Sequence, residues 1–341
     1  MRQTITVPAS LTPSTLLPFS IELDTTHRTD GYLFDFQNVG HVEPFGMLFL
    51  AALIRQFARA RRQVQGRGCE IKAVNFKDKT YASWMGLFKS FGLDHGIEPG
   101  EASGSDTYIP LTRLTVSRIV GEARDGYVHH GEIIEKEASR IAKILTRENE
   151  GPITETVIYA VREIMRNVVE HGTTSHIWYA AQYWKSKNRV EVAILDEGIG
   201  LLSSLRRNPK LEVDSNEKAL FLALQPGISG IAKKKRRPRD GNWVNTGYGL
   251  YMTSSLCQFG GNFVLCSASN AIRMKMNSSE FHPCAYRGVA IRMVLDTSKI
   301  SNLDSSLSEL KKKGEAIASK LGNSDVELSA SKMSRMLSRE I

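Results

Sequence analysis

The chain reads as an α/β protein of two domains followed by a polar tail. Three observations predict this. Strand-like and helix-like segments alternate along the chain. A polar, glycine-containing stretch from Leu114 to Gly131 interrupts the pattern. The length of 341 residues, 41% hydrophobic and 24% charged, suffices for two ordinary cores. The expected division is 1–120, 121–300 and 301–341.

In the first part, Gly31 to Gln37 reads as a strand, bounded by Asn38 and Gly40. A helix is expected from Pro44 to about Arg62, since proline suits a first helical position and Phe45, Leu48, Phe49, Ala52, Leu53 and Phe57 follow. Cys69 to Phe76 reads as a second strand, Tyr81 to Phe91 as a second helix, and Tyr108 to Leu114 as a third strand of the same small domain. Residues before Gly31 read as a lead-in containing proline and threonine.

In the second part, an amphipathic helix is expected over Glu132 to Arg147, with Ile133, Ile134, Ala138, Ile141 and Leu145 at helical spacing. A second helix carries Tyr159, Glu163, Asn167 and Glu170 on one face and Ile158, Val161, Met165 and Val168 on the other. Strands are expected at Ile177–Trp184, Arg189–Leu195, Asn262–Ser267 and Val289–Leu295, with a short helix at Leu303–Leu321 in the tail.

Three motifs carry chemistry. Glu163 and Asn167 place a carboxylate and an amide one helical turn apart, as proton acceptor and uncharged cation ligand. Asp196-Glu197-Gly198-Ile199-Gly200 follows a strand, where a carboxylate accepts hydrogen bonds and glycines let backbone approach a flat ligand. Gly247-Tyr248-Gly249-Leu250 opens a helix, whose free amides and dipole suit phosphate. Taken singly, these are also a solvated face, a plain turn and a helix start.

Together, and in this order, they resemble the N box and two glycine boxes of the GHKL ATPases over residues 131–297. The resemblance implies a Bergerat-fold α/β sandwich, a mixed sheet with helices on one face, binding ATP and Mg2+. It implies that Asn167 holds magnesium and that Glu163 is the catalytic base. Asp196, Gly198 and Gly200 would form the adenine wall, with Gly247, Tyr248, Gly249 and Leu250 around the phosphates. A mobile lid is implied across Leu201–Thr246. Where many members carry Gly-Thr in the last strand, this chain has Gly288-Val289, leaving Ser267 or Thr156 as substitutes. Residues 15–118, through FDFQNVGHVEPFGMLFLAALI, VNF and WMGLFKSFG, resemble a STAS domain. The segment that carries a phosphorylated hydroxyl in that family is here Glu43-Pro44-Phe45-Gly46, which has none.

The function expected from both resemblances is nucleotide-dependent regulation, with slow ATP hydrolysis, a protein partner and a possible homodimer. The alternatives are an anti-sigma-type serine/threonine kinase acting in trans, and a nucleic-acid-binding module with a vestigial ATP site. Six of the positive charges behind the net +9 lie in Lys233–Arg239, and removing six from nine leaves +3. That run offers phosphate contacts in the lid or to nucleic acid, the latter not favoured. No apolar run has membrane-spanning length and no signal-peptide pattern opens the chain, so a cytoplasmic protein is expected. Cys69, Cys257, Cys266 and Cys284 lack metal-ligand spacing and are expected in the core.

Overall fold

The computed structural model describes residues 2–65, 69–105, 107–126, 130–146, 148–171, 173–230, 247–258, 260–299 and 303–320. In chain order the strands are β1 (Arg2–Thr6), β2 (Ser10–Leu11), β3 (Gly31–Asp35), β4 (His41–Val42), β5 (Glu70–Val74), β6 (Tyr108–Thr115), β7 (His176–Trp184), β8 (Arg189–Asp196), β9 (Asn262–Lys275) and β10 (Ser278–Asp296). The helices are α1 (Pro13–Thr25), α2 (Pro44–Gln65), α3 (Thr80–Trp84), α4 (Leu87–Ser90), α5 (Val116–Asp125), α6 (His130–Thr146), α7 (Pro152–His171), α8 (Gly200–Leu205), α9 (Asn216–Ala223), α10 (Gly249–Cys257) and α11 (Leu303–Lys320). The α/β class holds.

The architecture is layered. A parallel sheet ordered β1-β3-β5 lies outside α1 and α2. Beneath those helices is a five-stranded sheet ordered β6-β7-β8-β10-β9, and α6, α7 and α10 cover its far face. The larger sheet was expected to be mixed, but all of its pairings are antiparallel. Helices were expected on one face, yet both are covered. The strand sequences explain this. Ile177, Tyr179, Ala181, Val192 and Ile194 are buried toward α6 and α7, while Trp178, Ala180, Ala193 and Leu195 are buried toward α2. A strand apolar at every position needs cover on both sides.

Helix α2 answers that need. Phe45 and Met47–Ile54 are all buried, because ten residues from Phe45 to Ile54 contain no polar side chain. A helix apolar all round belongs in an interior. Its later Phe57 packs edge-on against Tyr32 and Phe34 of β3, with ring centroids 4.8 and 5.6 Å away.

Several boundaries differ from expectation. β6 was expected to complete the first domain, but it pairs with β7, so the large sheet begins before residue 120. The lead-in holds β1, β2 and α1; the prolines that read as breakers lie at the first position of α1 and within it, and a Thr12–Thr15 capping box starts the helix. The helix expected over Tyr81–Phe91 is split by Gly86 at φ +86°, a left-handed turn that glycine takes without strain. Helix α5 occupies the polar junction. Tail helix α11 buries Leu310 and Ala318, and Gly314 faces Tyr251 of α10; residues 321–341 lie outside the described residues. All four cysteines are buried and unbridged.

A buried ion cluster joins the layers. Glu191 of β8, fully buried, accepts hydrogen bonds from Arg292 of β10 and Arg189, each at 2.8 Å, and from the Phe45 backbone amide at 3.1 Å. Arg292 also donates to Glu43 at 2.8 Å and to Asn262 at 2.6 Å. Burial pushes the Glu191 carboxyl up, against the pull of Arg292. Replacing Arg292 with methionine leaves both carboxylates with less compensation. The expected loss of unfolding free energy is about 3–5 kcal/mol, read from urea denaturation; an unchanged midpoint refutes a structural role for the cluster.

Candidate functional site

Helix α7 buries Val157, Val161, Ile164, Met165 and Val168. These anchor it on the sheet and fix Glu163 and Asn167 beside the start of α10. Asn167, Asp196, Gly200, Gly247, Gly249 and Leu250 line one cleft, whose remaining wall is largely apolar, including Leu201, Leu205, Ile228, Val289 and Ile291. Four separate elements therefore bring six of the nine residues singled out in the sequence to one place. The cleft encloses about 80 Å³. A larger cleft of about 570 Å³ lies between α1, α2 and β10, but it contains neither Asn167 nor Asp196.

Glu163, Gly198 and Tyr248 do not line the smaller cleft. Glu163 is buried behind Gly249, and a Cβ added to that glycine would lie 2.8 Å from Glu163 Oε2. Arg166 donates to Glu163 Oε1 at 3.3 Å, and Arg162 lies 3.5 Å from the same oxygen. Neither arginine has a signal in the motif spacing. Gly198 supports Asp196 from below, its amide donating to Oδ1 at 2.7 Å. Tyr248 is buried with its ring next to Gly314 of α11.

Asp196 ends β8 and is nearly inaccessible. Burial pushes its carboxyl up to about 7, while the amides of Gly198 and Val289 pull the other way. Opposite it, Gly200 has φ +75°, and an added Cβ would meet Ser267 Oγ at 2.9 Å. Ser267 accepts from the Leu201 amide and donates to the Gly288 carbonyl, both at 3.0 Å, pinning the turn to β10. Of the two hydroxyls weighed at the Gly288-Val289 departure, Ser267 thus adjoins the cleft; the Thr156 side chain lies outside the described residues.

Residues 201–230 of the segment expected as a lid are among the described residues. Helices α8 and α9 pack on β9, with Leu205 and Leu220 buried and Ser215 capping α9 at the Lys218 amide. Lys233–Arg239, Asn245 and Thr246 lie outside the described residues. Among the described residues no three His, Cys, Asp or Glu side chains cluster to hold a metal, and no helix is long and apolar enough to cross a membrane.

The raised Asp196 pKa sets a pH dependence. Between about pH 4 and 7 the folded chain keeps a proton that the unfolded chain has released. The Asp196 contribution therefore falls as pH rises through that window, by up to about 4 kcal/mol. The difference in stability between wild type and Asp196→Asn should show that slope in denaturant titrations at pH 5 and 8; equal slopes contradict it. No protein-family model and no curated protein matches the chain.

Proposed function

We propose that the chain is an ATP-binding regulatory protein of the GHKL type, a Bergerat-like nucleotide module joined to a STAS-like amino-terminal module. Magnesium-ATP binding and slow hydrolysis would govern its interaction with a protein partner. The observation that carries this reading is the convergence of Asn167, Asp196, Gly200, Gly247 and Gly249, from distant parts of the chain, on one cleft. A chance set of short motifs has no reason to meet.

The residues fit the ligand in kind. A deeply buried carboxyl group beside apolar side chains suits an adenine ring, whose exocyclic amine can donate to one of its oxygens. Glycines occupy positions where a Cβ would collide with Ser267 or Glu163. Helix α10 brings its first residues, Gly249 and Leu250, to the cleft, where backbone amides and the positive end of the helix dipole suit an anion. Asn167 would hold magnesium, which neutralises phosphate charge and needs only one protein ligand when phosphates and water supply the others.

Glu163 would accept a proton from water or from a partner's hydroxyl, and Arg162 and Arg166 orient its Oε1. At about 80 Å³ the cleft is smaller than the roughly 300 Å³ of a typical small-molecule site.

Calorimetry with magnesium and ATP is expected to show saturable binding, weakened more than tenfold in Asn167→Ala and in Asp196→Asn. Flat titrations with wild type sink the proposal. Glu163→Gln should bind ATP yet release phosphate at least a hundredfold more slowly, measured by phosphate assay. Labelled phosphate appearing on a partner instead of in solution would assign the chemistry to a kinase.

A further inference from the structure

The loop carrying Asp196 is gripped from outside the cleft. Glu197 turns to α2, where its Oε1 accepts from Arg55 Nε at 2.7 Å and its Oε2 from Arg59 at 3.0 Å. Arg55 is itself fixed. Its guanidinium lies 4.2 Å from the centre of the Trp178 ring, and its Nη1 donates to the Ser90 carbonyl at 2.9 Å. The Glu197 side chain is 10% exposed and that of Arg55 15%, so water competes little for this pair.

The same helix reaches the strand behind the loop. Gln56 pairs with both backbone groups of Arg287, at 2.7 and 3.0 Å. Phe49 lies 4.9 Å from the Tyr286 ring, and the Tyr286 hydroxyl donates to the Asp196 carbonyl at 2.7 Å. Gly288 closes the stack, since a Cβ there would lie 2.1 Å from that same carbonyl oxygen. Four side chains of one helix, Phe49, Arg55, Gln56 and Arg59, thus act on two adjoining backbone segments, and none of them lines the cleft that holds Asp196.

We propose that Glu197 is a positioning residue for the bound base, and that Arg55 and Arg59 of α2 set nucleotide affinity and base preference through it. This rests on the nucleotide reading above. The physical reason is that Gly198 and Gly200 give the loop no side chains of their own to pack, whereas base recognition needs the Asp196 carboxyl group fixed to within a fraction of an ångström. Charge-assisted bonds to the residue next in sequence supply that fixation. Coupling of this kind is reciprocal: whatever tightens base binding tightens the hold of α2 on Glu197.

The test uses the full chain and compares ATP with GTP binding by calorimetry in wild type, Arg55→Gln, Arg59→Gln and Glu197→Gln. Wild type is expected to prefer ATP more than tenfold. Arg55→Gln and Glu197→Gln should lose about tenfold in ATP affinity and most of that preference, Arg59→Gln about threefold, and Arg55→Lys should recover part of the loss. Should Arg55→Gln fail to fold, the more exposed Arg59 and the isosteric Glu197→Gln carry the comparison. Variants that bind ATP as wild type does, or that lose ATP and GTP affinity equally, overturn the inference alone. A wild type that binds ATP without preference over GTP also overturns it. A wild type that binds no ATP overturns the proposed function and this inference together.

Discussion

The ionic contact among Glu43, Glu191 and Arg292 is the constraint on which the layered arrangement depends. Glu191 and Arg292 sit on central strands, buried under α2. A lone charge there carries a desolvation cost of several kcal/mol, so each must bring its partners along. Glu43, immediately before α2, and the Phe45 amide in its first turn fix where that helix begins over the sheet. Apolar side chains would fill the same space with similar stability, but they would not define that starting point.

From that anchor the helix runs across the sheet to the end that holds the cleft. Its first turn meets the ion cluster, its middle meets Tyr286, and its later turns meet Glu197 and Arg287. One rigid element spans the structural core and the rim of the proposed nucleotide site. The opposite face follows another logic: α7 and α10 approach closely enough that only glycine fits at position 249 beside Glu163. The cleft forms where these two systems meet at the end of β8.

Much of this is legible in the sequence. The helical face of Glu163 and Asn167, the Asp-x-Gly-x-Gly turn and the Gly-x-Gly helix start all lie where spacing puts them, and six of those residues share the cleft. The second cover of the sheet is written in Trp178, Ala180 and Ala193, but an unbroken apolar strand does not say which element lies over it. Helix α1 is obscured by Pro13 and Pro18, since the same residue both starts helices and ends them. Strand β6 has ordinary strand character, and only long-range pairing decides which sheet receives it. Arg55, Arg59 and Tyr286 are invisible for the same reason: their partners are distant in sequence, and a lone arginine or tyrosine has no pattern.

The position of α2 between two sheets bears on how the chain is made. Synthesis delivers β1 to β5 and α2 first, with Phe45, Leu48 and Phe49 already present but β8 and β10 still to come. Until the last strand leaves the ribosome, the nascent amino-terminal half carries an apolar helix face and the carboxylate of Glu43 without their final partners. Pairings this distant in sequence form slowly and expose chains to aggregation in the meantime. The arrangement that later braces the rim of the cleft leaves this helix face uncovered until β8 and β10 are in place.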